Sequence, residues 1–476
     1  MSNESQTLAV KRAQVEFHNF ASLGEPDRAQ RVYLEENVRR GALLHQHAAF
    51  IGSMTPFVEI GANAGHSSYM LCNEFGADGF ALDISADSLR YGISLMDSCG
   101  FSKAPVRIAG DALNLPFQDG SLRAVIAYQM LSQFQDIEAV FIEAKRVLAP
   151  GGLFIFAEEP MRRRLSLRLY RCGYYQTMKW WEKRLYDWGL LGFFVQDVIG
   201  AQQEEGFGIR QNHRLELRDW HELMVRHFED MEFRLFVPQR GWGEKLTKWI
   251  AKRIDKYGSD WVPARLLGGT LSAMCKKYGE AEVDPNAPFE SRLRCPDCYA
   301  GMRVDEAGTL HCLACEYAAP NEGGVYNLIR SHEKKELYPG DRSDVIDFTL
   351  PGHESKLLEG WYGLEGDYGN KYRWIGERAT AVLTPVDAVP KRIRIRGHVS
   401  ADFLKQGSAA TIQVKVNGRL VTELSPDRTG LFILAAEVPD APVYQVEILA
   451  GPLWKVANDE RSFTVTISML RLTPRD

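Results

Sequence analysis

Residues 57–71 read FVEIGANAGHSSYML, and this stretch decides the fold. Phe57, Val58 and Ile60 are a short apolar strand. The chain then turns through Gly61 and Gly65 into a helical segment, with the acidic Glu59 near the strand end. A glycine turn between strand and helix lets a nucleotide-like ligand approach bare backbone, because no Cβ stands in the way. A second strand, Phe80–Ile84 (FALDI), carries Asp83, about 20 residues past the glycines, the spacing at which an acid takes a ribose hydroxyl pair. Together they imply an adenosine-containing cofactor.

The order of glycines excludes the dinucleotide fingerprint G-x-G-x-x-G, since Gly61-Ala62-Asn63-Ala64-Gly65 does not continue it. The segment resembles motif I of the class I S-adenosylmethionine methyltransferases, E/D-x-G-x-G-x-G, at Glu59, Gly61 and Gly65. Asn63 replaces the middle glycine, and Asn tolerates left-handed backbone better than most residues. Three more blocks follow in the family's order. In GDALNLPFQDGSLRAV (110–125) the resemblance implies that Asp111 faces the adenine amino group. Ala112 lines that site, and Leu115-Pro116-Phe117 wall the ring. VIAYQM (125–130) corresponds to the central strand, with Tyr128 and Gln129 at its carboxyl end. RVLAPGGLFIFAEE (146–159) corresponds to a helix end, a turn and the next strand. The implied cofactor is S-adenosyl-L-methionine, bound by Glu59, Gly61, Asn63, Gly65, Asp83, Asp111, Ala112 and Tyr128, with His66 shaping the pocket. Sulfonium chemistry requires an adenosine site and an in-line path for the acceptor. No Walker-type Lys follows the glycines and no G-x-S-x-G elbow occurs.

A chain of 476 residues accommodates two or three domains. A hydrophobic content of 45% and a net charge of −5 are those of an ordinary soluble protein, with no general case for nucleic-acid binding. The start, MSNESQTLAVKR, is polar and does not read as a signal peptide. No apolar run reaches transmembrane length, so a cytoplasmic protein is expected.

Residues 1–50 read as helical. Alternating strands and helices over 57–160 predict a doubly wound parallel α/β sheet. Phe233–Val237 and Gly268–Lys277 read as its closing hairpin, with a helical stretch at 241–265 between them. The methyltransferase domain is therefore expected over 1–280, with a substrate-side insertion at 161–235.

Cys295-Pro296-Asp297-Cys298 and Cys312-Leu313-Ala314-Cys315 are two C-x-x-C knuckles. Four thiolates at that spacing suit one closed, structural zinc ion. The metal replaces the core that so short a segment cannot build. Residues 289–330 resemble a zinc ribbon, like the small zinc-ribbon partners of tRNA and protein methyltransferases. A metal-free ribbon or a redox dithiol is the alternative. Cys72, Cys99, Cys172 and Cys275 read as free thiols of a reducing compartment.

From 337 to 476 short β runs predict an antiparallel β-sandwich. Asn417-Gly418 between TIQVKV and RLVTEL marks a type I′ hairpin. LLEGWYGLEGDYGNKYRW (357–374) resembles the opening of jelly-roll modules attached to bacterial sugar-processing enzymes. Trp361, Tyr362 and Trp374 are candidates for stacking on sugars, or ordinary sandwich aromatics.

Eight basic residues interleaved with aromatics lie between Met161 and Arg184, opposed only by Glu182. Such a segment (161–185) suits peripheral contact with the inner face of a membrane, or a solvated lid. Transfer to a hydroxyl needs a base, and the candidates are Glu159, at the strand's carboxyl edge, and His213, in the insertion. The expected acceptor is a saccharide or lipid-linked glycan. A small aromatic or natural-product metabolite is the second enzyme reading, and a non-catalytic scaffold with a relic cofactor domain the third.

Overall fold

The computed structural model describes residues 26–134, 136–161, 215–236, 269–340, 342–349, 352–366, 371–405, 410–427, 429–456 and 459–475. It also describes Leu8, Lys11, Gln14, Val15, Trp180 and Arg184. The basic segment 162–179, His213 and the stretch 241–265 lie outside the described residues. The chain forms two compact units: 31–92 with 96–329, and 1–30 with 93–95 and 330–476.

The first unit is built on a nine-stranded sheet. Its strands are β1 (Phe57–Ile60), β2 (Gly79–Asp83), β3 (Val106–Ala109), β4 (Leu122–Tyr128), β5 (Leu148–Met161), β6 (Asp230–Phe236), β7 (Gly269–Lys276), β11 (Asn321–Glu322) and β12 (Val325–Asn327). Their spatial order is β11-β12-β3-β2-β1-β4-β5-β7-β6. Strands β1 to β5 run parallel, and β7 is antiparallel to both β5 and β6. The closing hairpin is therefore present. All four residues of β1 are buried, as a central parallel strand covered on both faces requires.

Alternation along the strands feeds two cores. Phe57, Ala124, Ile126, Leu153, Ile155 and Met274 pack with Leu44 of α1 (Pro26–Gln46) and with Met70 and Leu71 of α3 (His66–Glu74), beside α2 (Ala48–Ile51). Val58, Ile60, Val125, Ala127, Phe154 and Phe156 point the other way. They meet Val140, Phe141 and Ala144 of α5 (Ile137–Val147) and Trp220 and Met224 of α6 (Leu217–His227). Both of these helices have N-terminal caps: Asp136 accepts the Ala139 amide at 3.1 Å, and Glu216 and Asp219 form a capping box.

Residues 289–327 continue this unit. β8 (Met302–Val304), β9 (Leu310–Cys312) and β10 (Ala318–Ala319) make a small antiparallel sheet. The chain then returns as β11 and β12. β12 pairs parallel with β3, Val325 opposite Arg107 and Asn327 opposite Ala109. The segment read as a small ribbon thus extends the large sheet by two strands. An uncovered β3 would present a row of unpaired backbone groups, and β12 satisfies them.

The second unit contains two antiparallel sheets. One consists of β13 (Val345–Asp347), β14 (Trp361–Glu365), β15 (Tyr372–Ile375), β17 (Lys391–Val399), β20 (Gly430–Glu437) and β22 (Thr466–Pro474). The other consists of β16 (Arg378–Leu383), β18 (Thr411–Val416), β19 (Arg419–Leu424) and β21 (Tyr444–Gly451). Ile393 and Ile395 from the first share a core with Ile412, Val414, Val446 and Ile448 from the second. Asn417 and Gly418 both adopt positive φ, 49° and 80°, as the type I′ turn demands. Trp361 Nε1 donates to the Thr380 carbonyl at 2.7 Å and Tyr362 Oη to that of Ser462 at 2.9 Å. The Trp374 ring lies 5.3 Å from Phe463. These three aromatics pack on the sandwich core.

Tyr317 fastens the ribbon to its return strand, its hydroxyl lying 3.0 Å from the Asn327 carbonyl and 2.8 Å from that of Ile329. Tyr317→Phe leaves both carbonyls without that donor. Urea denaturation is expected to show a loss of about 1 kcal/mol, with the slope of the transition unchanged.

Candidate cofactor site and cysteine cluster

At the carboxyl end of β1, Gly61, Asn63 and Gly65 all adopt left-handed backbone, with φ of 69°, 52° and 77°. Gly61 is also needed for space, since a Cβ there would lie 3.0 Å from the Met130 side chain. Asn63 keeps the turn where the motif has glycine. Its amide donates to Asp83 Oδ2 at 2.8 Å, and the Ser85 amide donates to Oδ1 at 2.8 Å. Asp83, at the end of β2, is thereby locked beside the turn, and each oxygen retains capacity for a second hydrogen bond. Behind the turn, Gly92 of α4 (Ala86–Ser98) stands against the Ala64 carbonyl, which a Cβ would approach to 1.9 Å.

Glu59 lies beneath this surface. It is 2% exposed and accepts the Ser68 hydroxyl. Burial pushes its carboxyl up to about 7, against the Ser68 hydrogen bond and the Arg40 charge. It ties the end of β1 to α3, the helix that follows the turn.

Asp111 and Ala112, expected on the adenosine side, are 8% and 6% exposed. Asp111 Oδ1 accepts the Leu113 amide at 2.9 Å, and the Asp111 carbonyl accepts the Asn114 amide at 3.1 Å. The expected ring wall is corrected here. Leu115 and Phe117 have no accessible surface, and Phe117 meets Phe80 edge-on at 4.9 Å. They form the floor under the site, because the apolar core competes for these side chains. Arg146 holds the floor by donating to the Leu115 and Phe117 carbonyls at 2.9 and 2.7 Å.

Glu159 is fully buried and accepts three backbone amides, from Met130, Leu131 and Ser132, at 2.8, 2.8 and 3.0 Å. Its oxygens hold the loop after β4, which is a positioning task and does not suit the base role expected of it. His213 lies outside the described residues.

The sequence reading missed a buried polar cluster on α1. Tyr33, Glu36, Asn37 and Arg40 share one helical face by their spacing of three and four. Arg40 Nη1 is 2.8 Å from both His66 Nε2 and Ser67 Oγ. Its Nη2 is 3.0 Å from Glu158 Oε2, and its guanidinium sits 4.4 Å above the Tyr128 ring. His66 stacks on Tyr33 at 4.2 Å and contacts Glu36 at 2.9 Å. Burial lowers the His66 pKa despite the Glu36 hydrogen bond. Burial opposes ionisation of Glu36, but His66, Arg40 and Arg39 outweigh it and keep the carboxyl below its ordinary value. Among the described residues, Tyr128 Oη and His66 Nδ1 are buried without a hydrogen-bond partner. The signal available in sequence was the 33-36-37-40 spacing, which a loosely apolar helix obscured.

The four knuckle sulfurs lie within 4.8 Å of one another. Cys295 and Cys315 are 3.7 Å apart, and Cys298 and Cys312 are 3.3 Å apart. A tetrahedral ion with bonds of about 2.3 Å requires sulfur separations of about 3.8 Å, so the set fits a soft divalent metal. The Ala314 and Cys315 amides point at Cys312 Sγ from 3.3 and 3.4 Å. Although burial opposes it, these donors help bring that thiol down to about 7. Cys72 and Cys275 are buried elsewhere, and burial raises both thiols. Cys172 lies outside the described residues. Among the described residues no helix is long and apolar enough to cross a membrane.

Residues 58–156 match the methyltransferase domain family. Among curated proteins, a probable chloroplastic tocopherol O-methyltransferase of Oryza sativa subsp. japonica is 30% identical over 28% of this chain and 36% of its own length. A norajmaline N-methyltransferase of Rauvolfia serpentina is 27% identical over 20% of this chain and 32% of its own. A sterol 24-C-methyltransferase of Yarrowia lipolytica is 27% identical over 26% and 34%. The match spans about a third of the length of these relatives. A solved geranyl diphosphate C-methyltransferase of Streptomyces coelicolor is similar at 14% identity and a TM-score of 0.33, over 54% of this chain and 89% of that one.

Two outcomes follow from the buried acids. Glu159→Gln turns one acceptor into a donor against a backbone amide, and is expected to cost about 1–3 kcal/mol, read as a lowered Tm. Glu59 has its pKa raised from 4.5 to about 7, so its contribution to stability is complete below 4.5 and is lost as pH rises through 7. Glu59→Gln removes that titration. Stability measured from pH 4.5 to 8 should fall less steeply in the variant than in the parent.

Proposed function

We propose that this chain, which carries a class I S-adenosylmethionine-dependent methyltransferase domain, catalyses methyl transfer from S-adenosyl-L-methionine to a small or lipid-linked acceptor. The observation that carries the reading is the Asp83 carboxylate. It is clamped by the Asn63 and Ser85 amides beside a left-handed glycine turn, with capacity left for two ribose hydroxyls. Asp111 and Ala112 border the adenine side. The arrangement also argues against a relic scaffold, since the turn and its acids are fully assembled.

The bound cofactor would supply an electrophilic methyl group on a sulfonium sulfur. The chain's own task is to hold the adenosine end, exclude water and orient the acceptor. Glu159 fixes the loop after β4, and Arg40 neutralises the paired acids Glu36 and Glu158. His213 is the remaining candidate for a general base. The four cysteines would hold a structural zinc ion, closed to substrate because all four positions are filled by sulfur.

For the acceptor, we infer a saccharide or lipid-linked glycan, supported by the β-sandwich and by the basic composition of 161–185, which suits a peripheral membrane site on the cytoplasmic side. The inward packing of Trp361, Tyr362 and Trp374 weakens sugar stacking as its basis. A small-metabolite acceptor is the second reading. It is favoured by the relatives, whose names give tocopherol, norajmaline and sterol methylation.

Extract of the source cells incubated with tritiated methyl donor and the purified chain separates the two. Label in the polysaccharide or glycolipid fraction is the expected result, and label confined to small metabolites overturns the glycan reading. Asp83→Ala is expected to reduce labelling at least about 100-fold, as loss of a charged ribose contact and of the turn's clamp together remove about 3 kcal/mol. Undiminished labelling by the variant would refute the site.

A further inference from the structure

The sequence suggests that the knuckles are a small zinc ribbon whose metal replaces the core it cannot build. The hydrogen bonds give them another task. The loop 111–118, which borders the adenosine side of the site, is bonded to residues 292–296 from Asn114 to Gln118. Asn114 Nδ2 donates to the Pro296 carbonyl, inside the first knuckle, at 3.2 Å. Arg294, the residue before Cys295, donates from Nε to the Leu115 carbonyl and from Nη2 to Asn114 Oδ1, both at 3.3 Å. The Arg294 amide donates to the Pro116 carbonyl at 3.1 Å, and Gln118 Nε2 to the Leu293 carbonyl at 3.0 Å. Asn114 is 7% exposed. Its backbone amide is bonded to the Asp111 carbonyl, so a single residue joins the acid to the cysteine knuckle.

The ribbon also reaches the ribose side. Arg90, on the helix that follows Asp83, donates to the Glu322 carbonyl at 2.9 Å. β12 lies against β3 up to Ala109, two residues before Asp111. The loop has its own ties to the large sheet through Arg146 and Glu143, but those lie at Leu115 and Phe117. Toward Asp111 the loop is tied both to the end of β2, by the Gly110 amide on the Asp83 carbonyl at 2.8 Å, and, through Asn114, to the knuckle.

We propose that the four-cysteine knuckle pair, acting through Asn114 and Arg294 as positioning residues, sets the adenosine side of the cofactor site, so that cofactor affinity depends on the integrity of the cysteine cluster. This rests on the cofactor reading above. A metal that fixes Cys295 and Cys298 fixes the Pro296 carbonyl and the start of the Arg294 side chain. Without it, Asn114 loses a rigid acceptor, and the Asp111 loop samples geometries that do not bind.

The test is calorimetric titration of the full chain with S-adenosylhomocysteine and with 5′-methylthioadenosine, alongside metal content and Tm. Asn114→Ala and Arg294→Ala are expected to weaken both ligands by the same factor, about tenfold each in the folded fraction, with metal content unchanged, beside the modest fall in Tm that the loss of buried hydrogen bonds brings. A merely structural role would lower Tm and leave the affinity of the folded fraction intact. Stripping the metal from the folded parent with a chelator is the second arm, and is expected to weaken both ligands while the circular dichroism spectrum persists. Parent-like affinity in the two variants and in the stripped protein overturns the inference and leaves the cofactor reading standing. A parent chain that binds neither ligand overturns the cofactor reading, and this inference with it.

Discussion

The backbone pairing of β12 with β3 is the constraint on which the first unit depends. Parallel strands cannot be joined by a tight hairpin, so a parallel partner for β3 has to come from elsewhere in the chain. Here it comes from beyond the cysteine cluster. The chain must run from the closing hairpin along the far side of the unit, make the small three-stranded sheet and enter the edge from the correct end. That route places the knuckles against loop 111–118 and leaves Tyr317 under the return strand. The sheet edge, the ribbon and loop 111–118 are brought together by this one strand addition.

Burial of charge is the second organising theme. Glu59, Glu159, Asp83 and Arg40 are all at least 96% removed from solvent by their exposures of 2%, 0%, 4% and 4%. Each has a defined set of donors or acceptors: a hydroxyl, three amides, two amides, and a carboxylate with a hydroxyl and an imidazole. A buried charge without partners would cost several kcal/mol. These groups therefore fix the loops that surround them to one geometry. The candidate cofactor site is thus surrounded by backbone that buried side chains hold in place, and of these Asp83 is the one proposed to touch the ligand.

What the sequence disclosed follows the range of the interactions concerned. The glycine turn, Asp83 and the cysteine quartet are local patterns with fixed spacing, and each is assembled as its spacing implies. The type I′ turn at Asn417-Gly418 belongs to the same class. The inward turn of Leu115 and Phe117 was hidden because residues of a ring-walling motif and residues of a core are equally apolar. Which way they face depends on Phe80 and Arg146, far away in sequence. The α1 cluster was hidden because Glu36, Asn37 and Arg40 look like any solvated helical face until His66 and Glu158 are brought against them. The β12 pairing rests on three residues, Val325–Asn327, and no local signal marks a three-residue strand as the partner of one on the other side of the domain.

The late position of β12 matters while the chain is being made. Strand β3 is complete at Ala109, but its edge partner begins at Val325. At the usual 5–20 residues per second, roughly 200 residues of synthesis leave that edge uncovered for on the order of ten to forty seconds. A nascent chain in this state displays a strand edge open to pairing with a neighbour on the same messenger. Proper assembly in the cell would then turn on what shields that edge until residues 325–327 emerge.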